Sequence, residues 1–369
     1  MELRGFLLAW RTTPLHDREV IDALVDPIHA GPSPALLAAL ARWPGRYYWS
    51  DEPDGRHLVL TRLGARPRRE RWWLHLALFL ATLVTTTFAG AILAGAIPYD
   101  NPLDLLVGSY PIPDGVVRAW ETGFAFSLPL LAFLLAHEFG HYLTARWYQL
   151  DVSPPYFIPV PLFPTFIGTM GAFIRLRTVL SDRRQLLDVG AAGPLAGFVV
   201  ALPVLWIGLL RSHALPGHPG AGGMLLPMGD WNISIGDSLI TLVLRHLVHP
   251  GAAAVLLSPI AFAGYMGMFI TALNLVPISQ LDGGHILFAA LPRWHQRVAL
   301  AFWFVALALG LFWVGWLVWG VLVLALSRGR LGHPPVLDSY RPLPRSRPAL
   351  AWASAVLFAI TFTPVPFKV

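Results

Sequence analysis

Ala136-His137-Glu138-Phe139-Gly140-His141 stands inside an apolar run from Gly123 to Trp147, and how it is read decides the fold. On a helix, His137 and His141 are four apart and share one face, so both imidazoles can reach a single metal ion. Glu138 sits beside the first of them, where a carboxylate can take a proton from a water held by that ion. Glu138 is also the only Glu inside any apolar segment of the chain. A charge at that depth in hydrocarbon costs at least about 2.5 kcal/mol unless it is paired or useful. The plain alternative is a polar cluster that merely binds helix to helix.

The composition fits a helix in lipid. Of 369 residues, 55% are hydrophobic and only 13% charged, against about 25% charged in a soluble domain. A core buried in a bilayer accounts for the deficit. The chain has no cysteine, so disulfides and thiolate metal sites are excluded, and His and carboxylate remain as metal ligands. The net charge of +6 would suit nucleic acid in a soluble protein. Here the arginines cluster beside apolar segments, so membrane orientation is the better reading and no nucleic-acid partner is expected.

Apolar segments are expected at about Trp72–Ile97, Gly123–Trp147, Leu186–Leu210 and Val255–Pro277, then over Val298–Leu326 and Ala349–Thr363. The first is long enough to span about 30 Å of hydrocarbon. Arg62, Arg66, Arg68, Arg69 and Arg71 precede it, which puts the N-terminus in the cytoplasm. The loop Tyr99–Val117 has three Asp and no Lys or Arg, as an outside loop should. Arg146, Arg175, Arg177, Arg183 and Arg184 return the chain inside, and Ser212–Ala254 is then outside again. Val298–Leu326 is either one long helix or two short ones hinged near Gly310–Gly315. The hairpin keeps Arg328, Arg330, Arg341, Arg345 and Arg347 inside and is favoured.

The expected fold is therefore an all-α polytopic membrane protein of about six to seven transmembrane segments, with a small N-terminal α+β soluble domain. Its parts are that domain over 1–71, a transmembrane core over 72–327, and a cytoplasmic loop with a final segment over 328–369. Within the N-terminal part, helices are expected at Asp17–Leu24 and Ser33–Trp43. Strands are expected at Arg46–Ser50 and His57–Leu63, around the turn Asp51-Glu52-Pro53-Asp54-Gly55. An unsplit chain with no evident targeting peptide suggests a prokaryotic inner membrane.

Two histidines leave a catalytic zinc one protein ligand short. Asp282, in Asn274-Leu275-Val276-Pro277-Ile278-Ser279-Gln280-Leu281-Asp282-Gly283-Gly284-His285, is the candidate third. It lies just past the cytoplasmic end of the fourth segment, and His141 lies near the cytoplasmic end of its own. Alone, Asp282 would read as a turn residue in Asp-Gly-Gly. His285 could be a fourth ligand, but a closed site holds no water, so it reads as a neighbour of the site or a simple interfacial histidine. His213, His218, His246 and His249 read as solvated loop histidines, and the tryptophans of Trp313–Trp319 as interface and packing residues.

With His-Glu-x-x-His followed by Asn-x-x-Pro-x-x-x-Leu-Asp-Gly, the chain resembles the site-2 protease family of intramembrane zinc metalloproteases over about residues 72–290. The resemblance implies one Zn2+ held by His137, His141 and Asp282, Glu138 as catalytic base, and a transmembrane protein as substrate in the lipid bilayer. It implies that Asn274 places the substrate or stabilises the oxyanion. It further implies a re-entrant β/loop element after the first motif. Gly168-Thr169-Met170-Gly171-Ala172-Phe173-Ile174 fits that place, so Gly168 and Gly171 are candidate substrate-binding residues on an edge that takes an unwound substrate as an added strand. An ordinary cytoplasmic loop folded from Pro154 to Pro164 is the alternative. Ala192-Gly193-Pro194-Leu195-Ala196-Gly197 also resembles the family, and its small residues suit close helix packing.

The implied activity is hydrolysis of peptide bonds near the cytoplasmic side. A metal or proton transporter would spread His and acidic residues along a path through several segments, whereas here they gather in two places at one depth. An inactive relative is disfavoured by the intact Glu138. A protease of the prenyl-protein type takes its third ligand from a later Glu, and no Glu follows Glu138.

Overall fold

Four antiparallel strands open the chain: β1 (Leu7–Pro14), β2 (Arg18–Val25), β3 (Arg46–Glu52) and β4 (Gly55–Leu63), in the order β1-β2-β4-β3. This is a computed structural model, and it describes residues 2–14, 18–29, 31, 33–63, 70–95, 115–160, 167–177, 180, 182–215, 223–228, 231–333, 336 and 342–368. Helix α1 (Pro34–Ala41), capped by Ser33, lays Leu36 and Leu40 on Ile21, Ala23, Val25, Leu58 and Leu60. The segment expected as a helix over Asp17–Leu24 is instead the central strand β2. Ile21, Ala23 and Val25 are buried and Asp22 and Leu24 only half so, a period of two that α1 covers on one face. β1 has no counterpart in the sequence expectations.

Among the described residues, three helices are long and apolar enough to cross a membrane: α2 (Trp72–Leu93), α3 (Gly115–Trp147, with Thr122–Trp147 as its apolar span) and α4 (Arg183–Leu210). On α2, Leu76, Leu80 and Val84 form an exposed apolar stripe at a spacing of four. Water would oppose such a stripe and lipid accepts it. The expected outside loop Tyr99–Val117 and the residues Arg66, Arg68 and Arg69 lie largely or wholly outside the described residues. The later apolar helices are shorter: α5 (Leu239–Val248), α6 (Pro259–Leu275), α8 (His295–Leu309), α9 (Gly315–Leu326) and α10 (Arg347–Thr361), with α7 (Asp282–Ala290) between α6 and α8. Val298–Leu326 forms two helices folded back on each other, where Trp303 Nε1 donates to the Gly320 carbonyl at 3.2 Å.

Among the described residues, two further sheets lie within the helical part. β5 (Tyr156–Pro159) and β6 (Thr169–Phe173) pair antiparallel against α2, where Thr85 Oγ1 donates to the Gly168 carbonyl at 2.7 Å. β7 (His213–Leu215), β8 (Gly223–Met228), β9 (Trp231–Ile235), β10 (Ala254–Leu256) and β11 (Phe367–Lys368) form a five-stranded sheet in the order β11-β9-β8-β10-β7. β7, β8, β9 and α5 replace the loop expected over Ser212–Ala254, and β10 takes the start of the segment expected from Val255. The strands are too short for an alternating pattern to show, and Ser258 with Pro259 starts α6 after β10. The site is positioned by α3, which packs on α2 and α4, and by α4, which packs on α6 and α7.

Candidate metal centre

His137 and His141, one turn apart on α3, are 3% and 7% exposed. Their Nε2 atoms lie 3.2 Å apart. Each is 3.3 Å from Oδ2 of Asp282, which opens α7. The centre of such a triangle is about 1.9 Å from each corner, close to the 2.0–2.2 Å of zinc bonds to His nitrogen and carboxylate oxygen. His141 Nδ1 donates to the Val189 carbonyl at 2.7 Å. A carbonyl only accepts, so the proton is held on Nδ1 and the Nε2 lone pair faces the cluster. The donor set, the spacing and the fixed tautomer fit a tetrahedral transition ion with one position left over.

The turn before α7 explains why Asp282 reaches the histidines. A Cβ on Gly283 would fall 1.9 Å from the Leu275 carbonyl oxygen. Asp282-Gly283-Gly284 is thus the first turn of α7 and not the separate turn that Asp-Gly-Gly alone suggests, and Gly283 lets this helix start close against the end of α6. α4 forms the opposite wall. A Cβ on Gly193 would fall 2.0 Å from His141 Nε2, and one on Gly197 would lie 3.2 Å from His137 Nδ1. The small residues of Ala192–Gly197 therefore do more than let helices pack, because two of them make room for the imidazoles.

Glu138 is buried on the same turn of α3 and accepts a hydrogen bond from the backbone N–H of Ile174, just past β6. His137, Glu138, His141, Asn274 and Asp282 line one cavity of about 750 Å3, with Arg175 among its other walls. Asn274, near the end of α6, has its amide nitrogen 3.2 Å from His137 Nε2. Gly168 and Gly171 bracket the start and middle of β6 and do not line that cavity, though Ala172 and Phe173 of β6 do. His285 is outside the three-ligand group, and its Nδ1 lies 2.6 Å from His333 Nε2. His246 and His249 bond to the backbone carbonyls of Leu242 and Leu209. His218 lies outside the described residues. Trp313 and Trp316 pack with Phe269, Phe362 and Phe367. Sequence reading missed the Val189 carbonyl and the Ile174 N–H, since backbone groups leave no residue-type signal.

The sequence pattern of peptidase family M50 matches residues 125–313, just over half of the chain, from within α3 to the α8–α9 turn. The chain belongs to peptidase family M50, the family of the site-2 proteases. It is similar to a probable zinc metalloprotease EGY2, chloroplastic, of Oryza sativa subsp. indica, at 30% identity over 62% of this chain and 39% of that one. It is also similar to a probable zinc metalloprotease EGY1, chloroplastic, of Arabidopsis thaliana, at 30% identity over 65% of this chain and 43% of that one. The chain thus spans about two fifths of the length of these relatives. No solved structure matches it.

Proposed function

We propose that the chain is an intramembrane zinc metalloendopeptidase that hydrolyses peptide bonds of membrane-spanning proteins. The observation that carries this reading is the convergence of His137, His141, Asp282 and Glu138 on one cavity, inside a helical core of which three members have membrane-spanning length. Family membership and the names of the relatives support zinc as the ion. Bound between His137, His141 and Asp282, zinc would lower the pKa of water toward about 7 and polarise a carbonyl. Glu138 takes the proton of the attacking water and returns it to the leaving amine. The Ile174 N–H orients that carboxylate.

A helical substrate hides its carbonyls in its own hydrogen bonds, so it must unwind before it is cut. β6 pairs with β5 on one side only among the described strands, and Met170 and Phe173 are exposed. These features support docking of an extended substrate along Gly168–Phe173. That Asn274 lines the same cavity beside His137 supports a role for its amide in holding the substrate carbonyl. Arginine placement supports six to seven spans, a cytoplasmic N-terminal domain over 1–71, a core over 72–327, a cytoplasmic loop with a final span over 328–369, and cutting near the cytoplasmic side.

The deciding experiment co-reconstitutes the purified chain with a tagged single-span membrane protein and compares it with Glu138→Gln. Cleavage by the native chain alone, lost with a zinc chelator, supports the assignment. Equal cleavage by both overturns the role of Glu138.

A further inference from the structure

The β3–β4 hairpin holds a second group of metal-ligating side chains, in the N-terminal sheet and apart from the centre on α3. One ligand atom each from Glu52, Asp54 and His57 lies within 4.8 Å of the others. All three come from the six residues around the turn, so the chain itself holds them together. His57 is 8% exposed. Its Nδ1 lies 2.8 Å from Asp22 Oδ1 on the neighbouring strand, and its Nε2 lies 3.2 Å from Asp54 Oδ1. An imidazole whose rear nitrogen is fixed by a carboxylate, with its front nitrogen turned to other ligands, is how proteins commonly orient a metal-binding histidine.

Charge points the same way. Arg56 is engaged with Asp51 at 3.4 Å and lies over the Trp49 ring. Asp22 and Asp54 each bond to the His57 imidazole, and Glu52, which accepts from Ser50 Oγ at 3.4 Å, stands beside it. A divalent ion would balance them, and one nitrogen with two carboxylates suits a first-row transition ion better than the all-oxygen shells of calcium or magnesium.

We propose that Glu52, Asp54 and His57, with Asp22 as the orienting partner, form a divalent transition-metal site in the N-terminal domain. This site is independent of the centre on α3. At the other end of β3, Arg46 Nη1 donates to the Tyr148 carbonyl just beyond α3 at 3.1 Å, so a metal-stiffened hairpin is tied to the helix that carries the histidine pair.

The test uses the full chain in lipid nanodiscs, with His137→Ala and His141→Ala removing the core centre. Co2+ is the probe, followed by its visible absorption and by metal analysis after equilibrium dialysis. The expected result is one Co2+ per chain in this background, lost in His57→Gln and in Glu52→Gln/Asp54→Asn, and weakened about 10–100-fold by Asp22→Asn. Asp54 is exposed and Glu52 half-buried at the end of the sheet, so their amides are expected to leave the sheet folded, which thermal unfolding checks. No binding in the core-silenced chain, or binding that His57→Gln leaves unchanged, overturns the proposal and leaves His57 as a protonated bridge between Asp22 and Asp54. The native chain separates the two centres. One ion lost with the core histidines upholds the core centre alone, and one ion kept without them upholds the hairpin site alone.

Discussion

A methyl group at Gly193 would fall 2.0 Å from Nε2 of His141. That nitrogen faces His137 Nε2 and Asp282 Oδ2, so α4 fixes the space in which the imidazole sits although it supplies none of the three candidate ligands. Gly193→Ala is expected to push the ring off the cluster and lower zinc content at least about tenfold. The check is metal analysis beside circular dichroism, and a folded variant with full zinc would sink the idea.

Glu138→Gln keeps the shape of the side chain and removes its basicity. The expected outcome is unchanged zinc content with cleavage slower by about 10²–10⁴. A variant that loses zinc as well would make Glu138 a structural support of the centre.

Asn274→Ala removes an amide that lines the cavity beside His137. It is expected to lower kcat by about 10²–10³, the range for loss of one oxyanion donor, with zinc retained. If zinc falls and the kcat of the loaded fraction does not, Asn274 serves to orient His137.

Glu70, just before α2, pairs with Arg177 through a short contact, and Arg177 also reaches Asp151 at 3.5 Å. Burial opposes the charge on Glu70, but the hydrogen bond and charge of Arg177 outweigh it and hold the carboxyl below its ordinary 4.5. A lowered acid stabilises the fold fully above its unfolded value and loses that contribution as pH falls through the folded one. Native chain is therefore expected to out-melt Glu70→Gln at pH 7 and to converge with it as pH drops below about 4.5 toward the lower folded value. Thermal unfolding in nanodiscs across that range reads it, and a gap that persists in acid would contradict the pairing.

The pairing of His137 with His141 was legible because a helix repeats every 3.6 residues and brings i and i+4 together. The hinge between α8 and α9 was legible from charge and glycine placement. β2 was misread because Arg18–Val25 suits either state locally, and only β1, β4 and α1 around it choose the strand. The five-stranded sheet was missed because strands of three to six residues carry too little pattern, and β11 joins β9 from the far end of the chain.

By itself the sequence determined the chemistry available: two histidines and a glutamate on one helical turn, an aspartate beside two glycines, and a hydrophobic chain to bury them. Only the tertiary structure decided that Asp282 stands 3.3 Å from both histidines, that the Val189 carbonyl holds the tautomer, and that Gly193 and Gly197 leave the rings their space. Residue type and local spacing specify which groups a helix or turn presents. Distances between groups more than a hundred residues apart depend on how closely the helices pack, and that is set by backbone contacts and small side chains whose effect appears only once the elements meet.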